Sequence, residues 1–432
     1  MRSSKQNRNW TRSLFLTVAM LAIATVIVNT AAANAIGTLN LKQAERLAME
    51  RDAVLQMKRA QSKALYEQSI AADTLPDPRV KLGLLNYPTD TFARDQEPMT
   101  QTRIAVSQMF PRGETLELKA QRTLKSSEAT SAGASNRERM VLMQVRTVFL
   151  ELLYWIHAED VVEQNKKLFE KLVKITESQY ASGIQRQQDV IRAELELDML
   201  EDRLDAILTK QQQTRAKLVK LVGPGVQGKP IDEGLPELAE VNLDNEEANL
   251  FANHPKVLME DARVAKSQYG IELARQSYKP EWMFELAYGF RDGTNPNGSE
   301  RADFASAMIS FDIPLFTKDR QDRQVAASQL TYQASEDARE DVIRELQSEY
   351  QQTKATWLRL KSRLQRFQSI IVPQSKENAS AALLAYQSRR GDFTSLMRAR
   401  ITELETELKF SRLHINLLKS QARLLYLVGE TQ

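Results

Sequence analysis

Residues 187–223, which read QQDVIRAELELDMLEDRLDAILTKQQQTRAKLVKLVG, decide the fold of this chain. The stretch has no proline and no glycine before its last residue, and it is rich in strong helix formers. Apolar or small side chains recur at alternating steps of four and three residues, at Ala193, Leu197, Leu200 and Leu204. This spacing is typical of a coiled-coil seam. The stretch therefore predicts a long helix that packs against another helix.

The partner helix lies directly upstream in the sequence. No proline occurs between Pro111 and Pro224, and the composition predicts a helix from about residue 115 to 178. Such a helix is roughly 95 Å long at about 1.5 Å per residue, far longer than a globular domain needs. A turn signal at Ser182 and Gly183 then predicts a long antiparallel hairpin with its tip at 180–187.

The same pattern recurs at an offset of 206 residues. Tyr180 aligns with Tyr386, and the Leu-Val-Gly sequence at 221–223 aligns with that at 427–429. Shared helix-forming residues do not explain why the non-helical ends match as well, so we infer an internal duplication. The predicted organisation has three parts, which are a first repeat at 36–222, a Gly- and Pro-rich linker at 223–245 and a second repeat at 246–432. Each repeat consists of a helix, two β-strands and a long helical hairpin.

The N-terminus and the composition narrow the class of protein. Residues 1–35 combine a basic start, an apolar run and a small-residue exit at Ala33–Ala35, which predicts a secretory signal peptide. The chain has no cysteine, so neither a disulfide nor a lipid anchor attached through cysteine is available. The formal net charge is only +3 and the charges are interspersed, so nothing indicates binding to nucleic acid. No later apolar stretch is long enough for a transmembrane helix.

Contact with a bilayer would therefore require β-strands, and the second repeat contains a suitable one. Residues 282–291 alternate strictly between a large apolar side and a small or polar side. The predicted lipid-facing residues are Trp282, Phe284, Leu286, Tyr288 and Phe290. Weaker strands are predicted near 303–313, 80–86 and 103–110. Four strands cannot close a barrel, so the barrel must be shared between chains. Two chains would give eight strands and a filled interior, whereas three would give twelve and a pore, which we favour.

Several motifs together resemble the outer membrane efflux protein (TolC-type) family over essentially all of the chain after residue 35. They are Tyr180-Ala181-Ser182-Gly183 followed by Leu221-Val222-Gly223, Asn253-His254-Pro255 at a helix start, and the strand exit Ile313-Pro314-Leu315-Phe316. The resemblance implies a mainly α fold with a membrane β-barrel portion. Long antiparallel coiled-coil hairpins would form a trimeric α-barrel below a shared 12-stranded β-barrel, with four strands from each chain.

The resemblance also implies a function, a location and partners. The homotrimer would be an exit duct in the outer membrane with a long periplasmic extension, docked on a periplasmic adaptor and an inner-membrane pump. The run Leu75-Pro76-Asp77-Pro78 resembles the branch that works with heavy-metal efflux pumps of the resistance–nodulation–division class. Two alternatives stay open, which are a protein-secretion duct of the same fold and a periplasmic coiled-coil adaptor without a pore.

By the same resemblance, the hairpin tips are the candidate periplasmic gate. The family's acidic position corresponds to Asp189 in the first repeat and to Ser395 in the second, and Arg389 stands where glycine is expected. We predict that charge pairs between neighbouring helices control closure. The candidate tip residues are Gly183, Asp189, Arg192, Arg389, Arg390, Gly391, Asp392, Ser395 and Arg398. Pro373 has no counterpart in the first repeat and predicts a kink, either for closure or for simple curvature.

The sequence predicts neither an enzyme nor a cofactor site. Its three histidines, His157, His254 and His414, are too scattered for a metal site, and no cysteine is present. Gly223-Pro224-Gly225 is a turn rather than a phosphate-binding loop. His254, which precedes Pro255 at a predicted helix start, is interpreted as a local structural residue.

Overall fold

The computed structural model describes residues 37–241 and 251–429. The predicted signal peptide at 1–35 lies outside the described residues, and so do the end of the predicted linker and the predicted start of the second repeat. None of the described helices is both long and apolar enough to cross a membrane.

The first half of the chain contains four α-helices and two strands among its described residues. They are α1 (Leu41–Arg51), α2 (Ala53–Ala72), β1 (Arg79–Leu85), β2 (Gln101–Phe110), α3 (Thr115–Ala181) and α4 (Gln187–Val222). The helix in front of the strands is thus split in two. Asp52 causes the break, because its carboxylate caps α2 by accepting from the Leu55 N–H at 2.7 Å and also binds Arg137.

The second half repeats this order, apart from the split helix. Its elements are α5 (Pro255–Gln276), β3 (Trp282–Phe290), β4 (Phe304–Phe311), α6 (Gln321–Arg366), a π-helical turn (Phe367–Ile371), α7 (Val372–Gln387) and α8 (Phe393–Val428). The predicted linker is partly structured, because Pro224–Val226 form a 3-10 turn and Ile231 makes a parallel β-bridge to Leu39.

The predicted irregularity at Pro373 takes the form of the π-helical turn directly before α7. Proline lacks the N–H that would bond the carbonyl four residues earlier, at Ser369. Widening the turn to the π spacing accommodates this missing bond without ending the helix, which resumes at Val372.

The chain divides into two compact units. The unit called here the tip unit contains, among the described residues, 37–51, Val148–Glu237 and Ala379–Ser411. In it the face of α4 that packs inward carries Ala193, Leu200, Ile207 and Thr214, all buried at a spacing of seven residues. The predicted coiled-coil register is therefore present, with the polar Thr214 included because its hydroxyl bonds to the Lys210 carbonyl.

The other unit, called here the sheet unit, contains, among the described residues, Asp52–Thr147, 238–241, 251–378 and 412–429. Its apolar core joins the start of α5 to the middle of α6 and the end of α8. The buried members are Phe251, Val257, Leu346, Tyr350, Leu424, Tyr426 and Leu427.

The four strands form one antiparallel sheet in the order β1-β2-β3-β4. The two hairpins β1–β2 and β3–β4 are joined by a long β2–β3 pairing that runs from Thr102 opposite Phe290 to Phe110 opposite Trp282. Strands β1 and β4 therefore lie at the two edges of the sheet.

Candidate functional site

One face of the sheet, called here the apolar face, exposes large hydrophobic side chains. The five predicted lipid-facing residues of β3 all point to this face, and each is between 39% and 53% exposed. The register places twelve residues of the other strands beside them. These are Val80, Leu82, Leu84, Thr102, Ile104, Val106, Gln108, Phe110, Ala305, Ala307, Ile309 and Phe311. No strand residue on this described face carries a charge.

Aromatic side chains lie at both ends of the apolar face. At one end Phe110, Trp282 and Phe311 are register neighbours, and the rings of Trp282 and Phe311 lie 4.9 Å apart. At the other end the rings of Tyr288 and Phe290 lie 4.8 Å apart. Aromatic residues that flank an aliphatic band are the arrangement that proteins use at the two membrane interfaces.

The opposite face of the sheet, called here the polar face, carries all the charged side chains of the strands. Lys81 and Arg103 both contact the Glu285 carboxylate, Lys81 through Nζ at 2.6 Å and Arg103 through a guanidinium nitrogen at 2.7 Å. The alternation of β3 is visible in the sequence, but this cluster is not, because its cations come from the other repeat.

The two predicted hairpin tips lie in the tip unit and have the same backbone design. Gly183 follows α3 with φ +70°, and its amide donates to the Tyr180 carbonyl. Arg389 follows α7 with φ +60°, and its amide donates to the Tyr386 carbonyl. Arg389 thus occupies the left-handed conformation that glycine adopts in the first tip. Neither position is covered, so both tips are exposed turns.

The tyrosines at the two tips differ in their surroundings. Tyr386 is buried, and its hydroxyl donates to Gln179 Oε1 at 2.7 Å and accepts from Gln185 Nε2 at 3.2 Å. Tyr180, its counterpart, is 47% exposed. The guanidinium of Arg192 donates to the Thr394 hydroxyl at 3.2 Å. The first and second tips are therefore tied by hydrogen bonds within the chain. The two tyrosines align in the sequence, which carries no signal for this asymmetry.

Asp392 caps the N-terminus of α8. Its carboxylate accepts from both the backbone N–H and the hydroxyl of Ser395 at 2.8 Å, and these bonds lower the pKa of the Asp392 carboxyl. Within the part of the chain that the structure describes, it forms no ion pair with Arg389, Arg390 or Arg398. The predicted control of closure by charge pairs between neighbouring helices stays a prediction.

Gly391 and Asp189 complete the tips. A Cβ on Gly391 would meet the Cβ of Ala385 at 3.1 Å and its carbonyl carbon at 3.3 Å, so the turn favours glycine there. Asp189 lies in the first turn of α4, where a negative charge stabilises the helix N-terminus. The structure thus places the predicted tip residues in two neighbouring turns and the helix starts that follow them.

Replacing Arg389 by glycine should stabilise the second tip by about 1 kcal/mol, since a left-handed backbone costs a side-chain-bearing residue about 1–2 kcal/mol. The measurement is hydrogen exchange of the Arg390 and Gly391 amides, both of which bond to the Ala385 carbonyl. The matched control is Arg390→Gly, which relieves no left-handed residue and should loosen the turn. Equal effects of the two substitutions would contradict this explanation.

His254 is a buried polar residue of the sheet unit, 2% exposed. Its Nδ1 accepts from the Lys256 N–H at 3.2 Å and caps α5, as expected for a structural histidine. Its ring lies edge-on to the ring of Tyr426, with the centroids 5.5 Å apart. Among the residues that the structure describes, none forms a hydrogen bond with Nε2. Burial first, and the positive charge of Arg139 second, lower the pKa of His254 to about 4.

No group of side chains among the described residues could hold a metal ion.

Solved structures of several membrane proteins have folds similar to that of this chain. A membrane protein from Pseudomonas aeruginosa superimposes with a TM-score of 0.79 at 15% identity, over 92% of this chain and 93% of that chain. The outer-membrane channel OprN gives 0.76 at 16% identity, over 90% and 89%. The Campylobacter jejuni CmeC outer membrane channel gives 0.75 at 12%, over 90% and 85%. At such identities these likenesses show a shared fold.

A family model also matches part of the sequence. Residues 248–430 match the family model of the outer membrane efflux protein. The predicted resemblance to this family is thereby confirmed for residues 248–430. The predicted mainly helical fold with four strands in each chain is confirmed by the described elements and by the likeness to these channels. The family comprises channels rather than enzymes. No protein in a curated collection of sequences matches the chain.

Proposed function

We propose that this protein is the outer-membrane exit duct of a tripartite efflux system. The observation that carries the proposal is the sheet, whose apolar face is exposed, uncharged along its strands and bordered by aromatic residues. An exposed apolar surface of this kind is unfavourable in water and favourable in lipid. The match of residues 248–430 to the efflux family supports the same function.

The edges of the sheet support assembly into a trimer. Strands β1 and β4 each pair on one side only within the chain, and an unpaired edge is not tolerated in the hydrocarbon of a membrane. Pairing β1 of one chain with β4 of the next satisfies both edges. Three chains give twelve strands and leave a lumen, whereas the interior of an eight-stranded barrel is filled by side chains.

The helical hairpins supply the periplasmic part of the proposed duct. Their tips would dock on a periplasmic adaptor and an inner-membrane pump, which supplies the energy while the duct conducts passively. The run Leu75–Pro78 favours a pump of the resistance–nodulation–division class by its resemblance to that branch. The two-repeat division of the chain would give three subunits a near-sixfold arrangement.

The proposed gate lies at the tips. Tyr386 links the two hairpins of one chain through Gln179 and Gln185, so the tips of one chain would move together. The exposed cations Arg389, Arg390 and Arg398 are available to contact a neighbouring chain. The π-helical turn before Pro373 would let the second hairpin bend inward.

Crosslinking of the sheet edges tests the trimer. The chain has no cysteine, so a variant with Leu82→Cys on β1 and Ala305→Cys on β4 carries only two thiols. A short bis-maleimide applied to native outer membranes should link the chains into species of up to three chains. The single variant Leu82→Cys should give no such series. A series that stops at two chains, or the absence of linked chains with intact thiols, would contradict the shared twelve-stranded barrel.

A further inference from the structure

The polar face carries an excess of positive charge. Side-chain alternation and register place Arg79, Lys81 and Arg103 on this face, together with one carboxylate, Glu285. The remaining strand residues of the face are uncharged. The excess amounts to two positive charges in each chain and six in a trimer.

The single carboxylate lies beneath the cations that neutralise it. The side chain of Glu285 is only 8% exposed, whereas those of Lys81 and Arg103 are 52% and 27% exposed. Ala105 and Ser107 of β2 are buried and small, which lets Lys81 of β1 reach across β2 to Glu285 of β3. A solute that approaches this face therefore meets ammonium and guanidinium groups rather than the carboxylate.

The cluster contains one more positive charge than negative charge. The two cations share one carboxylate, and each binds a different oxygen, Lys81 to Oε2 and Arg103 to Oε1. Since one cation alone would neutralise Glu285, the second is not required for charge balance. A positive surface inside a narrow, low-dielectric wall attracts anions and repels cations.

We propose that this face is an anion-selective lining of the duct, and that Lys81 and Arg103 determine its preference for anionic over cationic solutes. The proposal rests on the proposed function, in which the apolar face meets lipid and the polar face meets the lumen. The favoured substrate class is small anionic solutes, such as carboxylates, phosphates and sulfonates.

The test measures the reversal potential of the purified trimer in a planar lipid bilayer under a gradient of potassium chloride. The wild type should be more permeable to chloride than to potassium. Arg103→Gln leaves a neutral Lys81–Glu285 pair and should lower the chloride-to-potassium permeability ratio at least about twofold. Arg103→Lys is the matched control, because it keeps the charge and removes the guanidinium, and it should retain the wild-type ratio.

A second variant leaves all three residues of the cluster unchanged. Ser306 is exposed on the same face, in the register row of Ala287, so Ser306→Glu adds a negative charge without removing a contact of Glu285. It should lower the permeability ratio as well, whereas Ser306→Gln should not. A conducting wild type whose ratio is unchanged in both Arg103→Gln and Ser306→Glu would overturn the anion-selective lining and leave the duct intact. A wild type that forms no conducting trimer would instead contradict the proposed function.

Discussion

Replacing Ala307 by arginine should prevent the protein from assembling in the outer membrane. Ala307 lies on the apolar face opposite Leu286, midway between the two aromatic ends of the sheet. An arginine that faces lipid near the midplane of a bilayer costs about 2–4 kcal/mol, and a trimer would contain three of them. The measurement is the amount of heat-resistant trimer in outer-membrane fractions at equal expression.

The adjacent residue supplies the matched control. Ser306 lies on the same strand and is also small and exposed, but its side chain is on the polar face. Ser306→Arg should therefore assemble like the wild type, since the proposed lumen accommodates its charge. Normal assembly of Ala307→Arg, or equal loss in both variants, would show that the apolar face does not meet lipid.

Acidification from pH 7.5 to pH 4 should reduce the free energy of unfolding by about 3 kcal/mol through His254 alone. The pKa of this histidine falls from 6.5 to about 4 on folding, because burial and Arg139 disfavour the charged ring. The unfolded chain therefore binds an additional proton between these two values. The stability is fully present above pH 6.5 and is lost as the pH falls towards 4.

The control is a substitution of His254 that keeps the helix cap and removes the titrating ring. Lys256 adds a second nearby positive charge, and only the Tyr426 backbone favours the protonated ring. Asparagine at position 254 can still cap α5 but does not titrate, so His254→Asn should lack this part of the pH dependence. Urea unfolding in detergent, followed by circular dichroism at several pH values, gives the comparison. Parallel pH profiles for the wild type and the variant would rule out His254 as the cause.

The fold could be predicted from the sequence where periodic patterns are long. The heptad spacing of 187–223 fixes α4 and its buried face, and the aligned Leu-Val-Gly ends locate both hairpins. Strand β3 could be predicted because its strict alternation extends over nine residues. Strand β1 gives a weaker pattern because it has only seven residues and carries the apolar Leu85 on its polar face.

The candidate sites were predicted less completely, because their contacts join distant parts of the chain. The capping role of Asp392 depends on the local turn and could have been predicted from its position before a helix. The burial of Tyr386 between two glutamines could not, since Tyr180 has a similar local sequence and is exposed. The cluster of Lys81, Arg103 and Glu285 required the β2–β3 register, which no local pattern specifies.

The β2–β3 pairing also has a consequence for the order of folding. The β1–β2 and β3–β4 hairpins each close over a short loop, whereas pairing Phe110 with Trp282 closes a loop that includes α3 and α4. Because closure of a long loop costs more chain entropy and long-range pairing is slow, we expect the two hairpins to form first and their junction to form late. A chain cut in the linker near Gly228 should then yield two fragments, each with a complete hairpin, that recombine when they are expressed together.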